Sequence, residues 1–224
     1  MITDNIYTDA VKYLKKEKIQ YIKVPVIKYS QATIDATTHD QRTVLNTASK
    51  INVFNCHEFD KIVQLDADCM FLKNVDELFN YPDGAMYQDP GWHRGFVGLF
   101  VCTPRNHRVD YYQHLITTSP IPMYDGDLLE SLWFPFFNNS KYQIPSYYFI
   151  NITLSNFENY KKNKSIYGIH FCYKFKPWHY LSSEEYFNDY EKELQNDSIT
   201  RTNIVHFYIN HYIIPLQEKY PELF

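Results

Sequence analysis

Apolar and polar positions fall along this chain in blocks that predict helices separated by short strands. Asp9 to Lys18 has the spacing of a surface helix, and Tyr21-Ile22-Lys23-Val24 reads as a short strand closed by Pro25. Ile27 to Asp40 is polar, rich in Thr and without a period, so a loop is expected there. Arg42 to Phe59 predicts a helix with Val44, Leu45, Ala48, Ile51, Val53 and Phe54 on its apolar face. Lys61-Ile62-Val63-Gln64-Leu65 has the composition of a strand buried inside a parallel sheet, and it ends in Asp66-Ala67-Asp68.

Further on, the pattern predicts a helical turn at Val75 to Phe79, a strand at Gly98 to Cys102, and a helix at Arg105 to Thr117 opened by Thr103-Pro104. Leu128 to Phe137 reads as a helix, Ile166 to Phe171 as a strand and Ser182 to Leu194 as another helix. Strands alternating with helices define an α/β class with a mostly parallel sheet. No repeat, low-complexity tract or Gly/Ser linker breaks the chain, so one domain over 1–224 is expected, with a core over 1–180 and a helical tail over 181–224. Thr202 to Phe224 reads either as a helix packed on the sheet or as a self-association element that would make a homo-oligomer.

Composition narrows the function classes. Hydrophobic residues at 45% leave ample material for a core, which excludes a disordered chain. A net charge of -4 offers no positive field to gather a phosphate backbone, so nucleic acid is not an expected partner. Apolar runs such as Trp133-Phe134-Pro135-Phe136-Phe137 fall far short of the roughly 20 residues of a membrane span. Met1 to Asn5 carries no apolar stretch of a signal peptide, so a cytoplasmic location is expected. Cys56, Cys69, Cys102 and Cys172 form no C-x-x-C pair and read as reduced, buried thiols rather than zinc ligands or a disulfide framework.

The chemistry concentrates at Asp66-Ala67-Asp68, two carboxylates with a small residue between them at the end of an apolar strand. In open α/β sheets that edge is where ligands bind. Carboxylate oxygens suit hard cations such as Mg²⁺ and Mn²⁺, which can bridge a diphosphate and stabilise its departure. The bland alternative is a solvated turn, because Asp at strand ends is common.

Lys61 to Phe79, KIVQLDADCMFLKNVDELF, strongly resembles glycosyltransferase family 8, the family of glycogenin and of bacterial lipopolysaccharide galactosyl- and glucosyltransferases. Ser49-Lys50-Ile51, Asp89-Pro90-Gly91-Trp92, Gly95 to Phe100, Asp125-Gly126-Asp127-Leu128-Leu129 and Ile144-Pro145 to Asn151 are similar to further motifs of that family in the same order. His170-Phe171-Cys172-Tyr173-Lys174-Phe175-Lys176-Pro177-Trp178 resembles its H-x-x-G-x-x-K-P-W string, with Tyr173 in the place of the Gly.

The resemblance implies a GT-A fold and transfer of a sugar from a UDP-sugar donor to a glycan, protein or lipid-linked acceptor, with retention at the anomeric carbon. It implies that Asp66, Asp68 and His170 hold Mn²⁺, or Mg²⁺ in its stead, and that Lys176 lies on the donor phosphates. It also implies that Ala67, Lys50 and Arg42 contact the donor, and that Asp125 and Asp127 sit at the reacting carbon. With 65 residues before Asp66, the family's opening strand and its nucleoside pocket are expected to be missing in part. Two rival readings are a non-catalytic nucleotide-sugar-binding or scaffold protein and a UDP-sugar hydrolase.

Overall fold

The computed structural model describes residues 1–3, 6, 8–88, 95–133, 136, 138–148, 150–151, 166–171, 210 and 214–219. The chain forms two compact units, Met1–Leu65 with Asp76–Pro145, and Asp66–Val75 with Ser146–Phe224. Each carries its own small sheet.

In the first unit, helix α1 (Thr8–Lys16) leads to a parallel bridge between Ile2 and Lys23, where the expected strand at Tyr21 to Val24 is reduced to that one contact. A short helix α2 (Gln31–Ala36) replaces part of the expected loop. Ser30 caps it, its hydroxyl accepting the Thr33 N–H at 3.3 Å. Thr33 is buried and clasps Met123, accepting its N–H at 3.0 Å and donating to its carbonyl at 3.4 Å.

The helix expected from Arg42 to Phe59 runs over His39–Asn55, and it is a 3₁₀ rather than an α-helix. Leu45, Ala48, Ile51 and Phe54 recur every three residues, the period that stacks side chains on one side of a 3₁₀ helix. Ala48, Ile51 and Phe54 are fully buried there. Phe54 is the hub of the core, with ring centroids 4.4 Å from His107, 5.4 Å from Tyr112 and 6.1 Å from Trp133.

The sheet of this unit has the order β1-β4-β3-β5, with β1 Ile62–Leu65, β3 Met86–Gln88, β4 Gly95–Cys102 and β5 Gln143–Ile144. β1–β4 and β4–β3 are antiparallel and β3–β5 is parallel. The sheet is therefore mixed, which corrects the expectation of a mostly parallel one. Among the described residues β1 lies at the edge of the sheet, half-buried at all four positions, and not at its buried centre. A short apolar run carries no information on strand direction, so the sequence pattern could not tell the two apart.

The helix expected at Arg105 to Thr117 is broken into a 3₁₀ turn at Pro104–Asn106 and α3 (Val109–Thr118). Helix α4 (Asp125–Trp133) starts three residues before the expected Leu128. Gly84 turns the chain with φ +85°, and a Cβ there would stand 2.6 Å from Trp133 Cδ1. The second unit holds β2 (Cys69–Phe71), β6 (Ile150–Asn151) and β7 (Gly168–His170) in the order β2-β7-β6, with β2 antiparallel and β6 parallel to β7. The helix expected at Ser182 to Leu194 lies outside the described residues, and of the tail only Ile214–Lys219 is described as a helix. Among the described residues no helix is long and apolar enough to cross a membrane.

Candidate functional site

Two clusters gather the residues singled out in the sequence, one in each unit. In the second unit the chain leaves Asp66-Ala67-Asp68 directly into β2, and the antiparallel register places Cys69 opposite His170. His170 Nε2 lies 3.1 Å from Asp68 Oδ1, and the Phe171 N–H donates to the Asp68 carbonyl at 3.0 Å. Both ends of Asp68 are thus tied to the end of β7. Gly168 makes this approach feasible, since a Cβ there would stand 2.5 Å from the Phe71 ring and 2.7 Å from the Tyr148 carbonyl oxygen.

Asp68, Cys69 and His170 each bring one ligand atom to within 4.8 Å of the others. Asp66, half-buried at the head of the same turn, is not one of the three, and Ala67 is exposed. Cys69, expected as a buried thiol and not as a ligand, stands in this cluster. It is half-buried, unlike Cys56 and Cys102. Burial pushes the Cys102 thiol up to about 12 and raises that of Cys56 as well, which leaves both protonated and inert.

The first unit holds the other cluster. Asp125 opens α4 on the face that buries Leu128 and Leu129, so its carboxylate enters the core with them. Three side chains meet it. Thr47 and Lys50, three residues apart, share one side of the 3₁₀ helix; Thr47 Oγ1 donates to Asp125 Oδ1 at 2.7 Å and Lys50 Nζ lies 3.0 Å from Oδ2. Tyr29 Oη donates to Oδ1 at 2.9 Å and accepts the Asp125 N–H at 3.1 Å. Burial pushes the Asp125 carboxyl up, but the Lys50 charge and the hydrogen bonds of Thr47, Lys50 and Tyr29 outweigh it and hold the group below its ordinary value. The Tyr29 phenol is raised, first by burial and then by the Asp125 charge.

Asp127 faces solvent and reaches back to the start of its own helix, accepting the Tyr124 N–H at 2.9 Å. That is the back-bonding half of a capping box. The side chain of Arg42 and the whole of Lys176 lie outside the described residues, as do Asp89 to Trp92, Tyr173 and Trp178.

No family model matches the chain. It is similar to glycogenin-1 of Caenorhabditis elegans, 31% identical over 180 residues that cover 74% of this chain and 38% of that protein. Glycogenin-1 of Mus musculus is 29% identical over 68% of this chain and 46% of its own length. Galactinol synthase 1 of Ajuga reptans is 24% identical over 61% of this chain and 51% of its own length. The chain is a glycogenin-like relative within glycosyltransferase family 8. That kinship implies a GT-A fold, while the chain spans half or less of the length of the glycogenins it matches.

Proposed function

We propose that the protein is a metal-dependent glycosyltransferase that moves a hexose from a UDP-sugar to an acceptor with retention at the anomeric carbon. The observation that carries the reading is the contact of Asp68 with His170, because it joins the D-A-D turn to a histidine distant in sequence. The donors fit a divalent cation: ligand atoms about 2.1 Å from one octahedral ion stand about 3 Å apart along an edge, close to the 3.1 Å between Nε2 and Oδ1. In this reading Asp66, Asp68 and His170 hold Mn²⁺, or Mg²⁺ in its stead. When bound, the cation supplies positive charge against the diphosphate leaving group.

The chain's own residues do the rest. Lys176 adds a point charge on the phosphates, Arg42 contacts the nucleoside, and Ala67 presents no bulk beside the diphosphate. Lys50 keeps Asp125 ionised, and Tyr29 and Thr47 hold its carboxylate in one orientation. So held, Asp125 accepts a hydrogen bond from a hydroxyl of the donor sugar near the reacting carbon, while Asp127 fixes the helix start that presents it.

Calorimetric titration of UDP with Mn²⁺, and again with EDTA, tests the reading. Binding should need Mn²⁺ and disappear in Asp68→Ala and His170→Ala proteins that remain folded. Unchanged UDP binding in both variants would overturn the cation assignment.

A further inference from the structure

The proposed cation site contains a donor that hard-metal chemistry does not call for. Asp68 offers a carboxylate oxygen, His170 an imidazole nitrogen and Cys69 a sulfur, all within 4.8 Å of one another. Cys69 and His170 are direct cross-strand partners, so their side chains leave the β2–β7 ladder on the same face. The ladder is fixed at its other end by Gly168 packed against Phe71, which leaves the pair no freedom to slip in register.

Thiolate is a soft ligand. Mg²⁺ and Mn²⁺ gain little from it, whereas Zn²⁺ combines sulfur, imidazole and carboxylate readily. Three protein ligands with a fourth position left for a substrate oxygen is the pattern of zinc sites that handle substrate.

We propose that Cys69 completes a thiolate, imidazole and carboxylate set with which this chain takes Zn²⁺ in preference to Mn²⁺ or Mg²⁺. The inference rests on the cation site of the preceding section, with Cys69 taking the place of Asp66 among the ligands and Zn²⁺ that of Mn²⁺. On binding, the Cys69 S–H bond is replaced by an S–Zn bond and the proton passes to solvent; no electron is exchanged.

Co²⁺ serves as the spectroscopic probe for the full chain, since cobalt bound to a thiolate absorbs in the near ultraviolet through sulfur-to-metal charge transfer. The band should appear on Co²⁺ addition, vanish as Zn²⁺ displaces it, be absent in Cys69→Ser and persist in Cys172→Ser. Zn²⁺ affinity in Cys69→Ser should fall about tenfold or more, with Mn²⁺ affinity changed less than about twofold. Should Cys69→Ser fail to fold, alkylation of the unaltered protein with iodoacetamide, read at the Cys69 peptide, should be slowed by Zn²⁺ and not by Mn²⁺. Mn²⁺-dependent UDP binding with no thiolate band, or with Cys69 alkylated equally fast under Zn²⁺, would overturn the zinc proposal and leave the transferase reading standing. Failure to bind any of the three metals would overturn both.

Discussion

Lys50 Nζ and Asp125 Oδ2 are 3.0 Å apart, with side chains only 9% and 10% exposed. Two full charges are therefore carried inside the first unit, and the cost of taking them out of water is met only while both are present. Replacing Lys50 with Met leaves a buried carboxylate supported by two hydroxyls and should destabilise the protein by about 3 kcal/mol. The double variant Lys50→Met, Asp125→Leu should recover most of that loss in urea unfolding. A double variant no more stable than Lys50→Met alone would contradict the pair.

Because Asp125 is held below its ordinary value, the sign of its pH dependence follows directly. Its contribution is complete above the unfolded-state value and is lost as pH falls through the lower folded one. Thermal unfolding followed into acid should show a steeper loss for the native sequence than for Asp125→Asn. Parallel curves would mean that the carboxylate does not titrate with folding.

Asp83 forms a second polar knot in the same unit. It accepts the Thr103 N–H, the Asn106 amide and His107 Nε2 at 2.9, 2.9 and 3.0 Å. Burial raises its carboxyl, but those three hydrogen bonds prevail and lower it. His107 also lies against Phe54, so the knot orients a core ring. Asp83→Ala should cost about 1–3 kcal/mol by denaturant unfolding, through groups left without an acceptor.

Two glycines should answer oppositely to alanine. At Gly168 a Cβ collides with Phe71 and the Tyr148 carbonyl, so Gly168→Ala should cost about 1–3 kcal/mol and weaken cation binding at His170 two residues on. At Gly126 it meets only Val97 Cγ2 at 3.9 Å, so Gly126→Ala in the first turn of α4 should stabilise by about 0.5 kcal/mol. Melting curves and metal titration of the two variants check both.

Tyr29 bonds the backbone and the carboxylate of Asp125 at once. Tyr29→Phe should lower stability by about 1–2 kcal/mol. If Asp125 serves the reaction as proposed above, a donor turnover assay should show kcat reduced more than KM is raised, because the carboxylate loses its fixed orientation. An effect on KM alone would assign Tyr29 to binding.

The elements legible in the sequence were those with a strong local period. α1, β4, β7 and the Asp76–Asn80 turn stand near where the pattern put them. The spacing of Leu45, Ala48, Ile51 and Phe54 was also visible, but it was taken for the 3.6 period of an α-helix when a strict three-residue step is what a 3₁₀ helix needs. α2 stayed hidden because its stability comes from the Ser30 cap and the Thr33–Met123 clasp, partners 90 residues apart. Strand direction was invisible for the same reason: it depends on which distant strand pairs, not on the run itself. At the site, Asp68 and His170 were marked by neighbouring motif residues, whereas Cys69 gains meaning only from the register that sets it across from His170.

That long-range pairing also sets an order of assembly. Asp68 and His170 are 102 residues apart, so at the pace of translation the first waits on the order of ten seconds for the second to be made. By the time Pro145 has been added, every segment of the first unit exists, including the three side chains around Asp125. β2 at that stage has no strand to join, because β6 and β7 are still to come. The cluster of Asp68, Cys69 and His170 is thus the late product of synthesis, and a nascent chain halted before residue 170 carries its D-A-D turn without the histidine that joins it.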